Sequence, residues 1–187
     1  MPTQRRLVES GPDFYATPPW AVALLLDHEP LEGSIWEPAC GDGAISKVLE
    51  ARCADVTSSD LHDHGYGVSG QDFLAVTAAD SVDNVITNPP FILAEDFFRV
   101  GYQVARRKLC LLLRTVFLES VRRYHTIFQP TPPARVWVFT KRLSMYPRGY
   151  AVKNPGTTSY AWFVWDKAHR GATVVQWLPP GSKPRVS

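Results

Sequence analysis

Short apolar runs alternate along the chain with longer segments whose composition suits helices. The runs predict strands at residues 34–37, 82–87, 108–113 and 135–140, and a closing pair of strands at 160–165 and 173–178; residues 55–60 are interpreted as a further strand, the second along the chain. The longer segments predict helices at residues 21–28, 44–52, 92–107 and 116–128. This alternation predicts an α/β fold with a mostly parallel seven-stranded sheet, helices on both faces and right-handed crossovers.

The length and composition predict a single domain. A chain of 187 residues with 45% hydrophobic content buries one core but is too short for two ample domains. We expect the domain to span residues 13–178, with a flexible N-terminus at 1–12 and a disordered tail at 179–187.

The sequence also indicates the compartment. It begins without a charged-then-apolar leader and contains no apolar run of membrane-spanning length, so we expect a soluble, cytoplasmic protein. Three cysteines without close pairing, and a His-Asp-His stretch at 62–64 without further ligands nearby, predict neither a disulfide framework nor a metal site.

Charge is divided unevenly between the two halves of the chain. Residues 1–100 contain five Lys and Arg against sixteen Asp and Glu, whereas residues 101–187 contain fifteen against two. A cationic surface attracts a polyanion by releasing its counterions, so the second half predicts nucleic-acid binding; an ordinary solvated face is the alternative. The candidate contacts are Arg122, Arg123 and, in a long basic loop at 141–159, Lys141, Arg142, Tyr146, Arg148, Tyr150 and Lys153.

The first predicted strand ends in a glycine turn at residues 38–43, which leads into a helix. Gly41 and Gly43 would let the backbone approach a ligand closely, and the amides at the helix start would face its polar groups. The turn region contains the acids Glu37 and Asp42 and no Lys-Ser/Thr pair. Such acids suit a ligand with an ammonium and a sulfonium better than a phosphate, so the turn favours S-adenosylmethionine over ATP.

Two further acids follow predicted strands. Asp60 lies 19 residues after the first glycine of the turn, where a carboxylate can accept hydrogen bonds from both hydroxyls of a ribose; a turn cap is the alternative. Asp72 lies near the end of an expected third strand, where it would accept from an adenine amino group while Phe73 packs on the ring. A capping Asp and a core Phe are the alternative for this pair.

The motif Asn88-Pro89-Pro90-Phe91 directly follows the apolar strand at 82–87. Consecutive prolines fix φ and remove two backbone donors, which keeps nearby carbonyls out of an early helix. The Asn88 side-chain oxygen and the Pro89 carbonyl would accept both N–H bonds of an exocyclic amine and localise its lone pair for attack, while Phe91 offers a flat face to a base. A proline-rich helix stop with a core Phe is the alternative.

Aromatic residues and prolines at residues 14–20, including Tyr15 and Thr17, precede the first helix. We expect them to form a lid over a ligand at the sheet edge; ordinary packing of the N-terminus is the alternative. The stretch at 17–20, Thr-Pro-Pro-Trp, superficially resembles the target-base motif of enzymes that methylate cytosine N4, but no strand precedes it, so that role is rejected.

Together these motifs resemble those of the S-adenosylmethionine-dependent DNA adenine-N6 methyltransferases, particularly small phage- or prophage-type members, over residues 14–165. The resemblance implies a Rossmann-like class I methyltransferase fold and S-adenosylmethionine as the cofactor. It implies a cofactor site built from Tyr15, Thr17, Glu37, Pro38, Ala39, Gly41, Asp42, Gly43, Asp60, Leu61, Asp72, Phe73 and Asn88, and a catalytic motif at Asn88, Pro89, Pro90 and Phe91. These enzymes often have a separate target-recognition domain; here the loop at 141–159 takes its place, or a partner supplies specificity.

The implied reaction is direct methyl transfer to adenine N6 in DNA. The target base leaves the duplex, Phe91 stacks on it, and Asn88 and the Pro89 carbonyl hold its N6. No covalent enzyme intermediate is needed. The alternatives are methylation of another amine or amide, such as an RNA base, cytosine N4 or a protein glutamine, and a catalytically idle nucleic-acid-binding module of the same fold.

Overall fold

The computed structural model describes residues 15–143, 145–147 and 158–180. The predicted flexible N-terminus, residues 148–157 of the basic loop and residues 181–187 of the predicted tail lie outside these residues. The strands are β1 (Tyr15–Ala16), β2 (Ile35–Glu37), β3 (Val56–Ser58), β4 (Val82–Thr87), β5 (Ala105–Arg114), β6 (Arg135–Phe139), β7 (Tyr146–Pro147), β8 (Tyr160–Asp166) and β9 (Val174–Leu178). The α-helices are α1 (Pro19–His28), α2 (Ser46–Glu50), α3 (Ala94–Val104) and α4 (Val121–Arg123).

Seven of the described strands form the main sheet, in the order β3-β2-β4-β5-β8-β6-β9. The first four run parallel to one another, β8 lies antiparallel between β5 and β6, and β9 runs parallel to β6. The predicted α/β class and mostly parallel seven-stranded sheet are confirmed. The predicted pairing of the last two strands is wrong. All six side chains from Tyr160 to Trp165 are buried, and such a strand belongs in the middle of a sheet covered on both faces.

Three local predictions are also wrong. The segment at 71–74, expected near the end of a third strand, contains instead the start of a 3₁₀ turn at Phe73–Ala75. The helix predicted at 92–107 ends at Val104, because β5 begins at the next residue and pairs along its length with β4 and β8. The helix predicted at 116–128 is broken into a 3₁₀ turn, the short α4 and a π-helical turn.

Apolar layers cover both faces of the sheet, because alternate residues of β5 point to opposite sides. On one face, Leu109, Leu111 and Leu113 belong to a core with α3. On the other face, Cys110 and Leu112 belong to a core with α1 and α2. Each buried leucine side chain contributes roughly 1.5–3 kcal/mol to the free energy of unfolding.

A buried ionic network lies at the amino-terminal ends of the parallel strands, where Glu29 caps the end of α1. Glu29 is 2% exposed. Its carboxylate accepts hydrogen bonds from Arg135, from Lys108 at 3.0 Å and from the Trp137 indole at 2.8 Å. Arg135 also donates to Asp166 at 2.8 Å. The network attaches α1 to β5, β6 and β8 at the sheet edge opposite the candidate site.

A two-residue ribbon joins the N-terminal segment to the basic loop. β1 pairs antiparallel with β7, with Tyr15 opposite Pro147 and Ala16 opposite Tyr146. Residues just before α1 are thereby held beside residues that follow β6. None of the helices in the described part of the chain is long and apolar enough to cross a membrane.

Candidate active site

One cavity of about 410 Å³ opens at the carboxyl-terminal ends of β2, β3 and β4. These parallel strands are adjacent, so the residues that follow them meet at the same edge of the sheet. The predicted site residues on its wall are Thr17, Glu37, Pro38, Ala39, Asp42, Asp60, Leu61, Asp72, Phe73, Asn88 and Pro90. Gly41, Gly43, Pro89 and Phe91 do not line the cavity, and the side chain of Tyr15 lies outside what the structure describes.

Sequence reasoning missed several residues of this wall, among them Cys40, His62, His64, Gln71 and Ile92. Each is a close neighbour of a predicted site residue, and that adjacency was the available signal. Burial raises the pKa of Cys40 to about 12, with the nearby acids adding to the effect. The Cys40 thiol is therefore neutral and poorly suited to act as a nucleophile.

Glu37 ends β2 and is 1% exposed. Its carboxylate accepts a hydrogen bond from the Ser46 hydroxyl at the start of α2, and Ser58 donates to Ser46 at 2.6 Å. Burial raises the pKa of Glu37 well above its ordinary value, and the negative charges of Asp60 and Asp42 raise it further. The cavity floor thus contains a carboxyl group that a nearby cation would ionise.

Asp60 connects the glycine turn to the segment after β3. One of its oxygens accepts the backbone N–H of Gly41 at 2.9 Å, and the other accepts that of His62 at 2.9 Å. Gly41 has φ +53°, a left-handed conformation that suits glycine. The ring of His64 lies 3.8 Å from the second oxygen. Since each carboxylate oxygen can accept a further hydrogen bond, Asp60 fixes the turn and keeps acceptor capacity toward the cavity.

Gly43 makes room for a protein side chain. Its φ is +80°, and a Cβ at this position would lie 2.6 Å from the ring of Tyr66. The Tyr66 hydroxyl donates to Glu50 at 2.6 Å, which fixes the ring over the turn. The sequence predicts close approach of a ligand at this glycine; in the structure, the residue that approaches closely is Tyr66.

Asp72 and Phe73 act as a turn cap and a core aromatic residue, and they also lie where the sequence predicts an adenine contact. Asp72 caps the 3₁₀ turn by accepting the N–H of Leu74 at 2.9 Å. Phe73 is 3% exposed and packs against Trp36 and Phe97, with ring centroids 5.2 and 5.1 Å away. Both residues also line the cavity.

Asn88 follows the buried strand β4 and borders the same cavity as the acids. Its side-chain amide donates to the sulfur of Met145 at 3.8 Å, so the start of the basic loop reaches the candidate catalytic motif. Phe91 starts a 3₁₀ turn that leads into α3. The Arg114 guanidinium lies 4.3 Å from the centre of its ring, and the Tyr160 ring centroid lies 5.7 Å away.

Solved structures with the same architecture share little sequence with this chain. A Listeria monocytogenes protein described as a class I S-adenosylmethionine-dependent methyltransferase superposes with a TM-score of 0.57 at 15% identity, over 84% of this chain and 62% of that one. A Vibrio vulnificus protein described as the modification subunit of a type I restriction enzyme gives 0.58 at 15% identity, over 96% and 50%. The fold is that of the class I methyltransferases.

A third methyltransferase structure extends the comparison. A Pyrococcus horikoshii protein described as an RNA methyltransferase gives a TM-score of 0.58 at 13% identity, over 78% of this chain and 80% of that one. The chain spans less than two thirds of the Listeria and Vibrio proteins. The sequence matches no protein-family model and no curated protein.

The cavity of this methyltransferase fold is acidic. Among the described residues, four carboxyl side chains and no Lys or Arg line it: Glu37, Asp42, Asp60 and Asp72. One side-chain oxygen of Asp42 is buried and has no hydrogen-bond partner in the described part of the chain. No group of three His, Cys, Asp or Glu side chains within the described ranges is arranged to hold a metal ion. A cationic organic ligand fits this wall better than a phosphate does.

The predicted nucleic-acid contacts differ in exposure and in ion pairing. Arg122 and Arg123 both pair with Glu95, at 2.6 and 3.3 Å, and Arg123 also donates to the Phe117 carbonyl at 2.7 Å. These bonds give Arg123 a structural role on the fold. Lys141 and Arg142 are exposed at the start of the loop. Of the remaining candidates, the backbone of Tyr146 lies in β7, while its side chain, Arg148, Tyr150 and Lys153 lie outside the described residues.

Proposed function

We propose that this protein is an S-adenosylmethionine-dependent methyltransferase that methylates the exocyclic N6 of adenine in DNA. One observation supports this best: a single cavity is lined both by the acids after β2 and β3 and by Asn88 after β4. A methyl donor and an acceptor amine must meet within one enclosed space for direct transfer.

The acidic part of the cavity would hold the cofactor. Glu37 and Asp42 would face the cationic amino-acid end, Asp60 would accept from the ribose hydroxyls, and Asp72 with Phe73 would face the adenine. The buried Asp42 oxygen without a hydrogen-bond partner among the described residues is an acceptor available for this role. When bound, S-adenosylmethionine supplies an electrophilic methyl group on a sulfonium.

Asn88 and the residues around it would hold the acceptor amine. A nitrogen conjugated to an aromatic ring is a weak nucleophile, because its lone pair is delocalised. The Asn88 side-chain oxygen would accept one N–H bond, and the carbonyl of Pro89, a residue between the cavity-lining Asn88 and Pro90, would accept the other once the base is bound, which would localise the lone pair. The nitrogen would then take the methyl group, the cofactor would leave as the neutral thioether S-adenosylhomocysteine, and the proton displaced from nitrogen would pass to water. Preorganised acceptors of this kind lower the barrier without a covalent enzyme intermediate.

Charge supports a nucleic acid as the substrate. The second half of the chain has fifteen cations and two carboxylates, and Lys141 and Arg142 are exposed near the ribbon that borders the cavity. The likeness to a restriction-enzyme modification subunit also agrees with a DNA substrate. A separate specificity partner is part of this proposal.

A direct assay tests the proposal. The protein is incubated with S-adenosylmethionine labelled in its methyl group and, separately, with double-stranded DNA, single-stranded DNA, RNA and a protein mixture. Digestion and mass spectrometry then identify the labelled product. We expect N6-methyladenine from DNA, and a labelled product that appears only in RNA or protein would refute the proposed substrate.

Methylation of an RNA base is the second candidate, favoured by the likeness to the Pyrococcus horikoshii protein. The same cavity and the same acceptors would serve an exocyclic amine in RNA. The RNA arm of the assay separates the two candidates.

A further inference from the structure

Ile92 is an exposed apolar side chain at the mouth of the candidate active site. It is 79% exposed and borders the same cavity as Asn88 and Pro90. Single exposed apolar residues are common on protein surfaces, so exposure alone does not indicate a function. The position of this residue, four residues after Asn88 and on the cavity wall, distinguishes it from a scattered surface residue.

The backbone beneath Ile92 is held in place. The N–H of Leu93 donates to the Pro90 carbonyl at 2.9 Å, and the N–H of Ala94 donates to the Phe91 carbonyl. Two prolines precede this turn, and their rings fix their own φ angles at its entry. The side chain therefore projects from a preorganised support, and little entropy is lost when it enters a binding partner.

Arg114 supplies a cation beside the same turn. Its guanidinium lies 4.3 Å from the centre of the Phe91 ring. Phe91 is the residue that precedes Ile92 in the sequence. Arg114 is exposed and forms no salt bridge with the described residues. Arg114 does not line the cavity, but it contacts the residue just before Ile92, so an apolar side chain on the cavity wall and an exposed cation belong to the same turn region.

We infer that the substrate is double-stranded DNA, that Ile92 enters the base stack in place of the extruded adenine, and that Arg114 contacts a backbone phosphate. This inference rests on the adenine methylation proposed above. Extruding a paired base costs a few kcal/mol and leaves a gap in the stack. Proteins that unstack duplex DNA often insert an apolar wedge such as isoleucine between bases. A single-stranded substrate has no paired stack to fill and would leave this side chain without a role.

The wedge is tested with Ile92→Ala on three matched DNA substrates. They are a fully paired duplex, the same duplex with an abasic site opposite the target adenine, and the single strand. On the paired duplex we expect kcat/KM to fall about tenfold or more, because the unstacking cost is no longer offset. On the other two substrates, whose target base is already poorly stacked or unpaired, the loss should be much smaller. Val121→Ala, at a residue that is 78% exposed, is the control and should behave as wild type on all three.

The cation is tested through the salt dependence of DNA binding. Arg114→Gln should lower the slope of log K against log salt by about 0.9, the value for one lost phosphate contact. Arg106→Gln is the matched control, because Arg106 pairs with Asp83 at 3.2 Å near the opposite edge of the sheet, and its slope should equal that of wild type.

Three results would overturn the inference. An equal loss for Ile92→Ala on all three substrates would assign this residue to general packing of the site. Wild-type activity on the single strand with little on the duplex would show that no paired base is extruded. An unchanged salt slope in Arg114→Gln would remove the phosphate contact. Failure of the proposed function itself looks different, since the wild-type protein would then methylate none of the three DNA substrates.

Discussion

Ser46 donates its hydroxyl hydrogen to a carboxyl oxygen of Glu37, joining the start of α2 to the end of β2 in the floor of the cavity. Burial raises the Glu37 pKa well above its ordinary value, so the side chain stays protonated across a pH range in which an exposed Glu is ionised. A bound cation would reverse this preference, because it favours the carboxylate.

We therefore expect S-adenosylmethionine binding to release a proton and to strengthen as the pH rises from the ordinary Glu pKa toward the raised one. Glu37→Gln should abolish this pH dependence and weaken binding by roughly 1.5–3 kcal/mol, the value of a hydrogen bond to a charged group. Calorimetry in buffers of different ionisation enthalpy measures both effects. Glu32→Gln, at an exposed residue paired with Arg107, is the control. Binding in the Glu37 variant that retained the wild-type pH profile would contradict this role.

The stability of the ligand-free protein should change with pH in the direction opposite to cofactor binding: Glu37 should make the fold less stable as the pH rises. Because its pKa is raised in the folded state, the favourable contribution of the protonated carboxyl is present at low pH and is lost as the pH rises through the folded pKa. At pH values above the folded-state pKa of Glu37, and in the absence of ligand, Glu37→Gln should thus have a higher Tm than wild type. Thermal unfolding followed from pH 5 to 9 checks this expectation.

Gly43→Ala should destabilise the fold for two separable reasons. The left-handed φ of +80° costs an alanine roughly 1–2 kcal/mol, and the overlap of its Cβ with the Tyr66 ring costs roughly 1–3 kcal/mol more. Gly65→Ala is the matched control, because Gly65 also has φ +80° but has nothing within 4 Å of the added Cβ. Urea unfolding should show a larger loss at Gly43, and equal losses at the two positions would exclude the overlap with Tyr66.

Glu29→Ala should cost roughly 3–5 kcal/mol of unfolding free energy, since it leaves the partly buried Lys108 without its ion-pair partner and leaves Arg135 with Asp166 alone. Glu32→Ala removes an exposed pair with Arg107 and should cost about 1 kcal/mol or less. Urea unfolding at neutral pH compares the two variants. Similar small losses in both would mean that the buried network contributes little.

The same network predicts acid lability. Burial alone would raise the Glu29 pKa, but hydrogen bonds from Arg135, Trp137 and Lys108 outweigh this effect, and the pKa lies below its ordinary value. The pKa of Asp166 is lowered in the same way, chiefly by Arg135 against the opposing effect of burial. The stability from both acids is therefore present above their ordinary pKa and is lost as the pH falls through the folded values.

Asn88→Ala should lower turnover by about 10²–10³, as the loss of one preorganised polar contact does, while cofactor affinity changes little. Asn88→Asp keeps a side-chain acceptor and should retain more activity than the alanine variant. Single-turnover methylation and a separate cofactor titration distinguish chemistry from binding. Near-normal turnover in Asn88→Ala would refute the role assigned to this residue.

Phe91→Ala should weaken engagement of the target base by about 1–3 kcal/mol, the range for loss of base stacking. In the structure, Arg114 lies over the Phe91 ring, so a base that stacks on that face has to displace the guanidinium. The fluorescence of 2-aminopurine at the target position reports base extrusion directly. An unchanged titration in the variant would show that the base stacks elsewhere.

Local patterns were sufficient for the elements that build the site. The apolar runs at β2 and β4, the short strand β3, the glycine turn and the Asn-Pro-Pro-Phe motif all depend on residues close together in sequence. Their order therefore predicted acids at the ends of two strands and an asparagine at the end of a third. The ten-residue β5 was also visible as an apolar run, although its first residues were assigned to the preceding helix.

Contacts between segments distant in sequence determined the features that local patterns did not predict. Gly43 makes room for Tyr66, 23 positions later, and Arg123 pairs with Glu95, 28 positions earlier. β8 lies between β5 and β6. This position depends on which apolar strands bury the most surface when paired, and the sequence of a single strand does not reveal that.

The sequence by itself determined which chemical groups this protein has and the order in which strands, turns and helices present them. Only the tertiary structure decided that Glu37, Asp60 and Asn88 share one cavity, because that depends on β2, β3 and β4 lying side by side and parallel. Strand pairing is determined by the burial of entire sheet faces, which involves residues far apart in the sequence. Local sequence preferences therefore do not encode the distance between groups that belong to different strands.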